Sequence, residues 1–187
     1  MQNSIVELRV VLLGTKPSIY RTIQMSTNAT FYHLHLVLQE AFDWYDAHLH
    51  AFMINGEEIG NNDISEFDDD NVLDEHMITL KEKLHVEKQK FIYLYDFGDS
   101  WEHQITVAKL IEPKEGMFYP RCIRGARNTP PEDCGGIWGF EEFKEIMSDK
   151  SHPQHKEMKE WYEEEYDSDY FSKVDLNARY KTIFGHS

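Results

Sequence analysis

Apolar and polar positions alternate most clearly over 91–110, FIYLYDFGDSWEHQITVAKL. Phe91, Tyr93 and Tyr95 fall on one side of an extended chain. Trp101, His103 and Ile105 repeat that spacing after a link of turn-forming residues, Asp96-Phe97-Gly98-Asp99-Ser100. A period of two in aromatic and β-branched residues on either side of such a link predicts a β-hairpin. If the link closes symmetrically, Tyr95 faces Trp101, Tyr93 faces His103 and Phe91 faces Ile105. A histidine then sits inside an aromatic face. Gly98 is the residue expected to take a positive φ in the turn.

The same pattern recurs at the start of the chain. Val6, Leu8, Val10 and Leu12 share one face of a strand over 5–13, with Glu7 and Arg9 opposite; Gly14 to Ser18 turn the chain, and 19–25 return. The period then changes to 3.6. Thr30 is suited to cap a helix over 31–42, in which Phe31, Leu34, Leu38, Ala41 and Phe42 form an apolar stripe and His35 lies beside it. A short strand over 49–54 stops at Asn55-Gly56, and a turn of helix is expected over 79–84. This order predicts an α+β fold, a β-grasp-like mixed sheet with one packed helix. Pro113, Pro120, Pro130 and Pro131 mark 112–136 as mostly loop. Spaced apolar residues among glutamates predict helices over 140–147, 154–166 and 174–183. The expectation is one domain over 1–187, with an α+β core at 1–110 and the Pro/Gly-rich loop and acidic helices of 111–187 packed on it.

Composition narrows the partners. The chain is 41% hydrophobic and 13% aromatic, enough to fill such a core, and 34 acidic against 19 basic residues give a formal charge of −15. That charge repels phosphate backbones, so direct nucleic-acid binding is not expected. Acids crowd 57–75, including Asp68, Asp69 and Asp70, without the ligand spacing of a calcium loop, and a solvated loop is the simpler reading. No apolar run reaches the roughly 18 residues that span a bilayer, and the opening MQNSIVELRVVLLG lacks a charged leader region. Location in the cytoplasm, away from membranes, is expected. Cys122 and Cys134 are too few for a disulfide scaffold; they should be reduced thiols, with a mutual disulfide as the alternative.

Three blocks carry a family resemblance: HLHAF at 48–52, YDFGDSWEH at 95–103 and PPEDCGGIWGF at 130–140. Together with the Lys16-Pro17 turn, the Tyr20-Arg21 pair, and a helix containing Leu34-His35 that closes near Trp44, they resemble the plasmid pRiA4b ORF-3-like family over nearly the whole chain. Tyr20 stands where that family more often has tryptophan. The resemblance implies association with plasmids and insertion elements. The function expected is a non-enzymatic binding or accessory module that holds a protein partner by a sheet edge or by the 112–136 loop. A role in resolving transposons would need basic surface, which this chain lacks.

The polar residues of the blocks are the candidate site. His48, His50, Asp96, Asp99, Glu102, His103, Asp133 and Cys134 are expected to surround one cleft, with Glu132 a further polar candidate of the same blocks, because one shared locus explains three polar blocks most simply. A divalent metal such as zinc or iron could be held by His48, His50, Asp99 and His103. The alternative function is therefore a metal-dependent hydrolase, drawing also on Asp96 and Cys134, whose metal activates water. A purely structural reading has His103 as a core histidine, Asp96 and Asp99 capping the turn, and His50 packing by its ring. Arg121, Arg124 and Arg127 could hold an anion beside Gly135-Gly136, or could neutralise nearby acids. The stretch 97–100 with Asp149 and His152 also has the look of a GDSL-type serine hydrolase. There the serine leads into a helix, whereas Trp101 onward alternates as a strand, so this likeness is set aside.

Overall fold

The structure, a computed structural model, describes residues 4–61 and 72–185. In chain order the strands are β1 (Ile5–Leu12), β2 (Tyr20–Ser26), β3 (His50–Ile54), β4 (Glu57–Gly60), β5 (Val72–Asp74), β6 (Lys90–Tyr95), β7 (Trp101–Ile111) and β8 (Arg121–Ala126). The helices are α1 (Phe31–Phe42), α2 (Leu80–Lys83), α3 (Gly136–Ser148), α4 (His155–Tyr162) and α5 (Lys173–Phe184). Among the described residues, all eight strands join one mixed sheet, in the order β5-β4-β3-β6-β7-β1-β2-β8. The α+β class is therefore shown. Neighbouring strands run antiparallel except β4 and β5, which are parallel.

Both expected hairpins form. β6 and β7 pair with Tyr95 opposite Trp101, Tyr93 opposite His103 and Phe91 opposite Ile105. β1 and β2 pair from Ile5 with Ser26 to Val11 with Tyr20. The turn between β6 and β7 corrects one expectation: Asp96 and Ser100, not Gly98, take positive φ. Asp96 Oδ1 accepts the N–H of Gly98 at 2.9 Å and that of Asp99 at 3.3 Å. A Cβ on Gly98 would lie 3.2 Å from that oxygen, so the glycine makes room for the carboxylate.

Three strands were not anticipated. β4 and β5 lie at the two ends of the acidic stretch 57–75, which therefore is not one solvated loop. β4 reads EEIG: its two glutamates are exposed while Ile59 and Gly60 are buried, so the strand joins the core at its C-terminal half under an acidic composition. Asp68, Asp69 and Asp70 lie outside the described residues. The third is β8, inside the expected loop, where RCIRGA pairs along β2 and buries Cys122. Its outer edge is covered by Asn177 of α5, which accepts from Cys122 N at 2.7 Å and donates to Cys122 O at 2.8 Å. That amide takes the place of a ninth strand.

α1 begins at Thr30, whose hydroxyl accepts from His33 N, and ends at Asp43 in the left-handed region. Phe31 meets Phe52 edge-on with ring centres 5.1 Å apart, and Phe42 stacks beside Trp44 at 5.4 Å. α3 starts at Gly136, four residues before the expected 140, and α4 stops at Tyr162 rather than 166. Phe140 and Phe143 of α3 and Leu176 and Tyr180 of α5 belong to the same buried cluster as the sheet and α1. Among the described residues, no helix is long and apolar enough to cross a membrane.

Candidate functional site

The three sequence blocks meet at the end of the β6–β7 hairpin. Tyr95 Oη accepts from Ala47 N at 3.1 Å and donates to Glu132, whose other oxygen accepts from Tyr45 N at 3.0 Å. Trp44 Nε1 donates to Pro130 O at 3.0 Å and its ring stacks on Tyr95. On the turn itself, Asp99 Oδ2 accepts from Gly135 N at 3.1 Å. Gly136 follows with φ +65, and a Cβ there would come within 2.6 Å of Asp99 O, so no side chain fits. His48 Nε2 faces Asp133 Oδ1 at 3.1 Å and Asp96 Oδ2 at 3.8 Å. His48, Asp96 and Asp133 are close enough to share one ion.

Cys134 adjoins this locus, and its thiol is pushed up to about 12 by burial and, less, by the Asp99 charge. A thiol held protonated is a poor nucleophile and a poor ligand. Cys122 is likewise raised by burial, and both cysteines are free.

Other residues of the candidate set lie elsewhere. His103 is fully buried beneath the hairpin, edge-on to Phe42 at 4.5 Å, with Nδ1 3.1 Å from Trp101 O. Burial lowers its pKa to about 3, so the ring is neutral at pH 7. Glu102, its neighbour on β7, is exposed on the opposite face. The three arginines do not converge: Arg127 pairs with Asp169 at 2.6 Å, Arg121 lies against Met117, and Arg124 is exposed on β8.

His50 belongs to a second constellation, most of which sequence reasoning missed. Its Nε2 is 2.7 Å from Glu75 Oε2, and its ring lies flat on His35, with centres 3.5 Å apart and planes 4° from parallel. His35 Nε2 is 2.8 Å from Asp46 Oδ1, and its Nδ1 is 2.8 Å from Tyr93 Oη, which also accepts from Gln39 Nε2 at 3.0 Å. Burial lowers the His35 pKa, opposed by the bond to Asp46, while that bond lowers the Asp46 pKa. Glu75 is fully buried, and among the described residues its Oε1 has no hydrogen-bond partner. His48, His50, Asp46 and Glu75 all line one cavity of about 580 Å³, together with Tyr32 and His76. The signal for this group was the polar pair His35 and Gln39, four apart in the buried stripe of α1. Glu75 gave no signal, since it ends a stretch dominated by acids.

A second concave surface lies on the other side of the PPED segment. A cavity of about 790 Å³ is walled by Tyr45, Trp161 and Tyr162 together with Asp43, Glu132, Asp133, Glu163 and Glu164. A smaller one of about 320 Å³ shares Asp133 and Trp161 with it and adds Phe143, Met158, Glu142 and Glu157. Among the described residues, no lysine, arginine or histidine lines either. Tyr45 is 83% exposed and Trp161 48%.

The fold and site define a protein built on an eight-stranded mixed sheet, with polar loops gathered at the tip of one aromatic hairpin. The chain belongs to the family of plasmid pRiA4b ORF-3-like proteins, whose model matches residues 4–175. It is similar to the uncharacterized protein y4hQ of Sinorhizobium fredii, with 34% identity over 161 residues, covering 86% of this chain and 82% of that protein. It also resembles a crystal structure of a protein of unknown function, MM3350 from Methanosarcina mazei Go1. There the identity is 34% and the TM-score 0.84, over 94% of this chain and 98% of that one.

Proposed function

We propose that the protein is a binding module that holds a basic segment of a partner protein in the acidic, aromatic groove between the PPED segment and α4. One observation carries this reading: five carboxylates and three aromatic rings wall the larger cavity, with no basic side chain among the lining residues. Not all of those acids are engaged within the chain. Asp43 pairs with Arg179 and Glu132 is held by Tyr95 and Tyr45, whereas Glu163 and Glu164 make no ion pair among the described residues. Carboxylates beside exposed indole and phenol rings suit lysine and arginine, which pair with the acids and lie over the rings. A sheet edge is the weaker means of holding a partner, since Asn177 covers the outer edge of β8. Association with mobile elements, location in the cytoplasm, and a β-grasp-like relationship of the core, with α1 laid across a mixed sheet, belong to the same proposal.

The test is a titration of the protein with a labelled peptide of lysine, arginine and leucine, against a glutamate-containing control of equal length. Saturable, salt-sensitive binding of the basic peptide is expected, weakened roughly tenfold or more by Glu163→Lys with Glu164→Lys, because like charges facing across an interface repel. Equal binding of both peptides, or binding indifferent to the charge reversal, would overturn the reading.

A metal-dependent hydrolase is the second reading, favoured by the cavity that exposes His48 and His50 beside Asp46 and Glu75. His103, buried in the core, takes no part in it. Metal-stimulated cleavage of simple phosphate or carboxylate esters, lost in His50→Ala, would support it over the binding module.

A further inference from the structure

We propose that His35, Asp46, His50 and Glu75 form a binding site for one divalent first-row transition ion, with His35, His50 and Asp46 as ligands and Glu75 as the fourth. The inference is independent of the groove reading and holds whether or not any bond is cleaved nearby. One ligand atom from each of His35, Asp46 and His50 lies within 4.8 Å of the others, and the two rings, now stacked, would turn to share an ion. Two imidazoles and two carboxylates are a donor set that zinc, manganese and iron all accept.

Two further observations point to a cation. The first is Glu75 Oε1, a carboxylate oxygen on a side chain only 1% exposed, with no donor among the described residues. An unanswered buried carboxylate oxygen is costly, and a cation beside Oε2 would answer both oxygens. The second is the ring stack. Two imidazoles lie face to face at 3.5 Å, each with one nitrogen turned to a carboxylate. Among the described residues, no lysine or arginine pairs with Asp46 or Glu75. A single doubly charged ion balances both acids and takes up the nitrogen lone pairs. Tyr93 Oη, itself bonded to Gln39, would hold the far nitrogen of His35 and fix the ring, as groups behind metal-bound histidines commonly do.

The test uses the full chain, treated with chelator and then titrated with Zn2+ by calorimetry, with Co2+ as a spectroscopic probe. One equivalent of Zn2+ should bind, and Co2+ should give visible d–d absorption that Zn2+ abolishes. Asp46→Asn and Glu75→Gln should each weaken Zn2+ binding roughly tenfold or more. Asp133→Asn, in the separate His48 group, should leave it unchanged. Asp46 has a side chain 46% exposed, so its variant tests the site even if Glu75→Gln fails to fold. Absence of saturable binding by the folded wild type would overturn the proposal, as would affinity lost in Asp133→Asn and kept in Asp46→Asn.

Discussion

Arg21 shows what a single residue contributes to this fold. It is buried, yet among the described residues it forms no ion pair with a carboxylate. Its guanidinium donates to Ala41 O, Tyr20 O, Ala126 O and Arg127 O at 2.9–3.0 Å and lies 4.0 Å from the centre of the Phe171 ring. Burial lowers its pKa to about 10, which still leaves it charged at pH 7. Arg21→Lys cannot reproduce that fork, and the carbonyls left without donors should cost about 3–5 kcal/mol, read from urea unfolding. His103 makes the opposite kind of prediction. Its folded pKa, about 3, lies below the ordinary 6.5, so the unfolded chain binds the proton more readily. Its contribution is fully present above pH 6.5 and is lost as pH falls from 6.5 towards 3, with a slope of at most about 1.4 kcal/mol per pH unit. Stability measured across that window should flatten in His103→Gln. The sequence placed this histidine opposite Tyr93 because the hairpin register follows from alternation alone. It could not show that His103 would sit in the core while His48 and His50 reach a cavity, since all three have the same alternating neighbours.

At the scale of elements, the contact between the hairpin turn and the start of α3 depends on Gly136. Gly136→Ala adds a Cβ 2.6 Å from Asp99 O at a φ of +65, and should cost about 1–3 kcal/mol. Thermal melting should show it, at about 2–4 °C per kcal/mol for a chain of this size. Asn177→Ala removes two hydrogen bonds to Cys122 and uncovers the edge of β8. It should lower stability by about 1–3 kcal/mol and make light scattering depend on protein concentration. The elements read most closely from sequence include those with several turns of one period, the β1–β2 and β6–β7 hairpins and α1, together with β3, α2 and α5, which turn formers or spaced apolar residues marked. β4, β5 and β8 escaped because they are short edge or near-edge strands. EEIG and VLD sit among acids, and RCIRGA carries two arginines between prolines, so their burial is set by neighbours distant in sequence.

For the whole molecule, the buried cluster runs from β1 through α1 and the hairpins to Phe140, Phe143, Leu176 and Tyr180. Tyr180 Oη donates to Val37 O at 2.9 Å, tying the last helix to the first. We propose that 1–187 unfolds as one unit; a chain ending at 110 should show no cooperative thermal transition by circular dichroism. A truncated chain that melts sharply would mean that the sheet and α1 are sufficient. The formal charge of −15 is a property of the whole chain, and the proposed function draws on the part of it that walls one groove. The expected shared cleft gathers only in part: His48, Asp96, Asp99, Glu132, Asp133 and Cys134 lie at the hairpin tip, whereas His50, Glu102 and His103 lie elsewhere. The sequence blocks could not foretell the groove behind that tip, which depends on how α4 settles against the PPED segment.

The most direct test of the binding-module account is nuclear magnetic resonance of the isotopically labelled protein during titration with the lysine and arginine peptide. The account predicts amide shifts concentrated at Tyr45, Glu132, Trp161, Glu163 and Glu164, with the His35 and His50 amides unmoved. Shifts centred instead on the β3–β5 cavity, or no shifts at saturating peptide, would contradict it.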